Sequence, residues 1–471
     1  MKSIVYLAIA LIPIVALAQS ENDNAYVFKK RVLENKELSI LASYYGQDGE
    51  NAAVSGGIGT EELTDFATDI NVSIPLNDDE VLSISLTVSA YTSASSSNLN
   101  AFDGNRNADG SLKGTPWAAS SGASHQDAWT NLNVGYNHSS DDRNTVFSGN
   151  LSFANEFDYT SIGAGTGVLK LFNEKNTEIG INASVYIDFW RPQYPSELKT
   201  YIETNGNLNT NFFQGTDILD HNGNIIDKNA PNAWKPFNNE LINNKSRNTY
   251  ALSLSFSQIL TKSTQVSIFS DFTFQTGWLA NPMQRVYFAD KDNFYIGNAS
   301  DIPNYTNSNN QGVFQLADDI ERLPDSRYKI PIGIRLYQYL NEWLVLRTFY
   351  RYYFDDWGLK SNTFNAELAI KIGEKFTLYP NYRFYNQNAI DYFAPYNQHL
   401  STSQYYTSDF DLSKYNANQF GLGLKYTDIF TSAHVWKFGI KELTLDYNHY
   451  ERNIGLNADI ISLGANFILD K

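Results

Sequence analysis

The feature that most limits what this chain can become is a hydrophobic period of two, repeated along most of its length. From Thr177 to Trp190 the odd positions are Thr, Ile, Ile, Ala, Val, Ile and Phe, and the even ones are Glu, Gly, Asn, Ser, Tyr, Asp and Trp. Tyr250, Leu252, Leu254 and Phe256 alternate with Ala251, Ser253, Ser255 and Ser257. Phe364, Ala366, Leu368 and Ile370 alternate with Asn365, Glu367, Ala369 and Lys371, and Ile461, Leu463, Ala465 and Phe467 with Ser462, Gly464, Asn466 and Ile468. Successive side chains of a strand point to opposite faces, so each segment is a strand with one apolar and one polar face.

A soluble sandwich would alternate too, so strand length and connections must decide. Sixteen segments read as strands: 37–47, 60–76, 80–93, 128–139, 143–157, 158–172, 176–190, 247–261, 264–277, 326–340, 342–357, 360–372, 375–389, 409–427, 437–452 and 454–470. Most run 12–17 residues, against about 5–6 for soluble strands and about 9–11 for a tilted membrane crossing. From the second strand onward every other connection is short, among them Asn77-Asp78-Asp79, Asn173-Glu174-Lys175, Thr261-Lys262-Ser263 and Gly373-Glu374. The long ones (48–59, 94–127, 191–246, 278–325 and 390–408) all fall on the opposite side. One-sided long loops belong to outer-membrane barrels, and a sheet that spans hydrocarbon must close because its edges find no water there. The expected fold is all-β: a transmembrane antiparallel barrel of about sixteen strands with short periplasmic turns and long extracellular loops.

Composition agrees. Asp and Glu number 51 against 35 Lys and Arg, a net charge of −16 over 471 residues, which is the wrong sign for a nucleic-acid binder. There is no cysteine, so disulfides, thiolate catalysis and Cys-ligated zinc are excluded. Residues 1–18 have the form of a signal peptide: Lys2, an apolar run from Ile4 to Val15, and Ala16-Leu17-Ala18 as a small-x-small cleavage site. Residues 19–471 are then expected to form a single barrel domain with a charge of −17. Export and a closed sheet together predict the cell outer membrane.

Several stretches carry a family resemblance. They are Tyr44 to Gly49, Ala52 to Glu61, Tyr91 to Ser96, Asn176-Thr177-Glu178, Gln284 to Phe288, Glu321 to Arg327 and Asp391 to Tyr396. Over about residues 26 to 467 the chain resembles a family of exported Bacteroidota proteins catalogued as domain of unknown function 3570. The resemblance implies an outer-membrane barrel and carries no activity and no catalytic residues.

With parity fixed on 326–389, Tyr328, Ile330, Ile332, Ile334 and Leu336 face lipid. The lumen then receives Arg327, Lys329, Arg335, Arg347, Arg351, Lys371 and Arg383, against Asp355 and Glu367. Elsewhere Glu156, Glu178, Asp188 and Asp271 point inward. A polar lumen is the norm in barrels. A basic wall facing an acidic one would also orient and filter a small polar or anionic solute. The function expected is a passive channel or transport barrel for such a solute. The alternative is a structural or partner-binding barrel, plugged by 191–246 and 278–325 and meeting a protein partner at its long loops.

Two loop stretches have oxygen ligands at calcium-like spacing: Asp103, Asn105, Asn107 and Asp109, and Asp220, Asn222, Asn224 and Asp227. Both lack the acidic twelfth position of an EF-hand, and these residues are also ordinary turn formers. Trp117, Trp129, Trp234 and Trp278 read as loop tryptophans that pin the loops or stack on a sugar or partner. The six histidines (125, 138, 221, 399, 434 and 449) accompany no nucleophile motif and no HExxH spacing, so no enzyme and no cofactor are expected beyond candidate Ca²⁺ in the loops.

Overall fold

The computed structural model describes residues 31–92, 126–238, 240–242, 245–304 and 313–469. Sixteen strands form the barrel: β1 (Lys36–Asp48), β2 (Leu63–Pro75), β3 (Glu80–Thr92), β4 (Gln126–Ser139), β5 (Thr145–Asn155), β6 (Tyr159–Phe172), β7 (Thr177–Trp190) and β8 (Lys245–Thr261) make one half. The other half is β9 (Thr264–Gly277), β10 (Ser326–Asn341), β11 (Leu344–Asp355), β12 (Lys360–Ile372), β13 (Phe376–Gln387), β14 (Tyr415–Thr427), β15 (Phe438–Arg452) and β16 (Asn457–Leu469). Each pairs antiparallel with its neighbours, and β1 closes the ring on β16 in a continuous register from Lys36↔Leu469 to Asp48↔Asn457. The ring of sixteen described strands has no open edge.

The alternation read from the sequence sorts onto the two faces of this wall. Phe66, Leu151, Phe153, Tyr328, Ile332 and Leu422 lie bare on the outside. A solvent-exposed apolar band of this kind is stable only against hydrocarbon or another apolar surface. The inside carries Ser, Thr, Asn, Gly and charged side chains. Boundaries differ from the expected ones mainly at one place. Strand β14 begins at Tyr415 instead of 409, because Phe410–Leu412 forms a 3₁₀ turn capped by the Asp409 side chain, which accepts from the Asp411 N–H.

The buried core is elsewhere. Every one of the largest fully buried side chains, including Trp234, Phe213, Phe314, Phe288 and Tyr406, belongs to the long loops. The described residues of 191–242, 278–325 and 388–414 fold together at one end of the barrel into a cap with its own hydrophobic cluster, built on Phe213, Trp234, Phe314, Leu316 and Ile320. It contains a short helix α1 (Ser196–Glu203) and a three-stranded patch in which Tyr295–Gly297 pairs with Ile218–Leu219 and Val313–Gln315. The cap sits on the rim. Inward groups at the outer ends of β12 to β14, namely Ser361, Thr363, Gln387, Tyr415 and Ala417, are buried beneath it, and the Gln387 amide donates to the Asp411 and Ser413 carbonyls.

Candidate functional site

The structure brings the expected basic residues together on β10 to β13 and divides them into two groups. Some are neutralised. Arg327 is 2.5 Å from Asp355 and lies 4.2 Å over the Trp357 ring. Arg347 meets Glu367 at 2.8 Å and lies over Tyr379. Others have no carboxylate partner among the described residues. Arg335 is held between Phe269 and Phe349, at 4.9 and 5.7 Å from the ring centres. That contact depends on Gly333, where a Cβ would come within 2.1 Å of the Phe269 ring. Arg351 donates one weak bond to Thr363 at 3.5 Å, and its Nε–H has no partner. Arg383 and Lys371 are exposed, and Lys329 is half-buried. Cross-strand registers set Arg335 opposite Phe349, Phe349 opposite Asn365 and Asn365 opposite Arg383, so one line of register neighbours links two arginines on the same wall.

Counting eight strands round the ring from β11 and β12 leads to β3 and β4, flanked by β2 and β5. This side is acidic. Asp65 accepts from the Ser89 hydroxyl at 2.6 Å and Asp69 from the Thr87 hydroxyl at 2.7 Å; no cation pairs with either among the described residues. Glu156, in the tight turn after β5, accepts from the Tyr91 hydroxyl. Burial, and secondarily the neighbouring Asp158, pushes its carboxyl up to about 7. Asp65 and Asp69 were missing from the sequence reading, although parity extended to β2 would have found them. Of the other expected acids, Asp188 is neutralised by Arg247 at 3.0 Å. Asp271 lies on β9, beside the basic strands and not across from them, and Glu178 lies at the short-turn end of β7.

The cap is a site of another kind. Arg285 and Glu197 are both buried and form a two-pronged pair, Nε to Oε1 at 2.8 Å and Nη2 to Oε2 at 3.2 Å. Arg285 also donates to the Val54 carbonyl, tying the first long loop to the other two. Gly56 and Gly57 have φ of 83° and 88°; a Cβ there would strike Tyr287 and the Ser408 carbonyl. Tyr406 and Arg322 both donate to Asp319, while Thr407 and the Asn281 N–H donate to Glu321. The stretches around Val54, Arg285, Glu321 and Asp391 that carry the family resemblance therefore largely meet in the cap.

Asp103, Asn105, Asn107, Asp109, Trp117 and His125 lie outside the described residues. The Asp220 carboxylate accepts from the Asn222 and Asn224 N–H groups, and Asp227 from the Asn229 N–H, as turn-forming residues do. No group of three His, Asp or Glu side chains is arranged to hold a metal among the described residues. Trp234 is buried in the cap core and donates to the Ala317 carbonyl, and Trp278 packs against that core. Trp129 corrects the expectation of a loop residue: it is in β4 and faces the lumen, donating to the Tyr159 hydroxyl. His399 is buried against the Thr407 carbonyl, and His449 pairs with Asp459 on the outer face.

These features define a class: a closed sixteen-strand barrel with a charged lumen, an apolar exterior and a folded cap. The chain belongs to the family described as protein of unknown function DUF3570, whose model matches residues 2–460. No curated protein matches it. Among solved structures it is similar to a bacterial polysaccharide outer membrane secretin, at 10% identity over 93% of this chain and 99% of that one, with a TM-score of 0.40. It is also similar to OpdK of Pseudomonas aeruginosa solved with vanillate (7% identity, 92% and 97% covered, TM-score 0.35). A third is a TodX deltaS2S3 mutant, a monoaromatic hydrocarbon channel (10% identity, 93% and 91% covered, TM-score 0.38).

Proposed function

We propose that this protein is an outer-membrane transport barrel for a small polar solute, with a lumen that favours anions. The signal-like N-terminus and the apolar outer band support the location. The observation that carries the transport reading is the unneutralised set Arg335, Arg351 and Arg383, facing a wall that bears Asp65 and Asp69. Fixed charge of one sign along a water-filled wall raises the local concentration of counter-ions. Arginine keeps its charge at any working pH. Acidic groups on exposed loops act weakly here, because screening limits them to about 8 Å at physiological ionic strength.

The cap favours a second reading, a barrel closed by its own loops that serves a protein partner. Planar-bilayer conductance of the purified protein separates the two. The expected result is ion conductance with an anion-shifted reversal potential in a salt gradient. Replacing Arg335, Arg351 and Arg383 together by Gln should move that potential toward cations without loss of folding. A silent protein that co-purifies with another polypeptide would favour the partner-binding reading.

A further inference from the structure

The acidic side of the lumen contains a feature that ion selectivity does not use. At the outer ends of β1 to β8 two adjoining recesses, of ≈ 580 and ≈ 280 Å³, share Trp129 and Tyr159. Small-molecule sites commonly measure about 300–1,000 Å³. The walls are aromatic: Tyr45, Tyr91 and Trp129 with Tyr159 and Tyr186. Several of these rings are fixed. Trp129 Nε1 donates to the Tyr159 hydroxyl at 2.8 Å, and Tyr159 stacks on Trp190 with ring centres 5.7 Å apart. Arg247 covers Trp190 at 5.1 Å while holding Asp188.

The polar groups between the rings are amides, hydroxyls and carboxyls. Asn131, Asn133 and Ser152 line the smaller recess, and Asp65 and Glu156 the larger one. The carboxyls are not bare. Asp65 is held by Ser89, Asp188 by Arg247, and Glu156 by the Tyr91 hydroxyl. Among the lining residues the one cation an anion would meet is Arg247, whose charge Asp188 already takes. An organic cation would find carboxyls only at Asp65 and Glu156 in the larger recess, whereas the smaller one offers it amides, hydroxyls and an Asp188 already paired with Arg247. A molecule with apolar C–H faces and many hydroxyls suits both components, because its faces pack on fixed rings and its hydroxyls bond to amide and carboxyl oxygens.

We propose that these recesses form a binding site for a neutral saccharide, with Trp129 as the stacking platform and Asp65 and Asn131 as hydroxyl partners. The proposal deepens the transport reading and rests on it only in that the sugar must reach the lumen. The test uses the full chain in detergent, titrated calorimetrically with glucose, maltose, choline and phosphate in separate runs, alongside bilayer conductance. The expected result is a saturable signal with glucose or maltose and none with choline or phosphate. Trp129→Ala should weaken sugar binding at least tenfold, and Trp129→Phe, which keeps a ring but loses the bond to Tyr159, by a few-fold. Asp65→Asn gives a second variant, expected to weaken binding several-fold, should Trp129→Ala lose heat-modifiable migration. Absence of a saturable sugar signal, a choline or phosphate signal in its place, or unchanged affinity in folded variants overturns the assignment. Sugar binding without conductance defeats the transport reading alone, and conductance without sugar binding defeats the saccharide site alone.

Discussion

The wall and the cap of this molecule are stabilised by different means. The wall has almost no buried core. Its strands are held by a closed ring of backbone hydrogen bonds, and its apolar side chains face outward. The cap has the organisation of a small soluble domain, with apolar side chains packed inward around Trp234 and Phe213 and the buried Arg285 and Glu197 satisfied as a pair. The wall therefore depends on what surrounds it, whereas the cap depends on its own internal complementarity. Substitutions should separate the two.

The largest effect is expected at the Arg285–Glu197 pair, both members of which are buried. Removing one partner of such a pair costs about 3–5 kcal/mol, since the other charge is left alone in a low-dielectric interior. Arg285→Met should make the cap cleavable by trypsin at Lys199 or Lys228 while the barrel keeps its heat-modifiable migration. Loss of both together would show that wall and cap fold as one unit. Next comes the outer face. Leu151→Arg, at a position 66% exposed on β5, should cost about 2–4 kcal/mol if it lies near the bilayer midplane. Asn150→Arg, one residue away on the lumen side, should be tolerated. Urea titration of refolding into vesicles reads the difference, and equal costs would break the assignment of faces.

A smaller effect is expected from pH, centred on the cap and, through Glu156, on the turn after β5. Burial, then the nearby Asp409, pushes the Glu321 carboxyl up to about 8, and burial pushes Asp318 up to about 7. Both groups are protonated more readily folded than unfolded. Their contribution is thus fully present below about pH 4, the ordinary carboxylate range, and is lost as pH rises through 7 and 8. Hydrogen exchange in the cap should quicken between pH 5 and 9 by more than its intrinsic rate, while the wall strands away from the Glu156 turn show less. Glu321→Gln should flatten the dependence.

The sequence reported these two regions unequally, for a physical reason. A strand with unlike faces writes its period into consecutive residues, so β7, β8 and β12 could be read directly, as could the lumen positions of Arg335 and Arg383. The cap core is assembled from pieces with no period. Ile218–Leu219 meets Tyr295–Gly297, and Trp234 meets Ala317; each contact spans many residues and no local pattern signals it. The split between neutralised and bare arginines was hidden as well, because Arg347 finds Glu367 only through the register of two neighbouring strands. Trp129 was misread as a loop residue because it lies at the second position of its expected strand, where boundaries are least certain.

The bond from Arg285 to the Val54 carbonyl also constrains the order of events during folding. It joins positions 231 apart in the chain, and Asn51 in the same loop donates to the Ile454 carbonyl, 403 positions away. Contacts of such separation form slowly, because distant parts of the chain must be brought together before any of them is rewarded. The first loop cannot be fastened to the last hairpin until β1 has found β16. Fastening of the first loop to the last hairpin is therefore a late step, and protease protection of that loop should follow barrel closure.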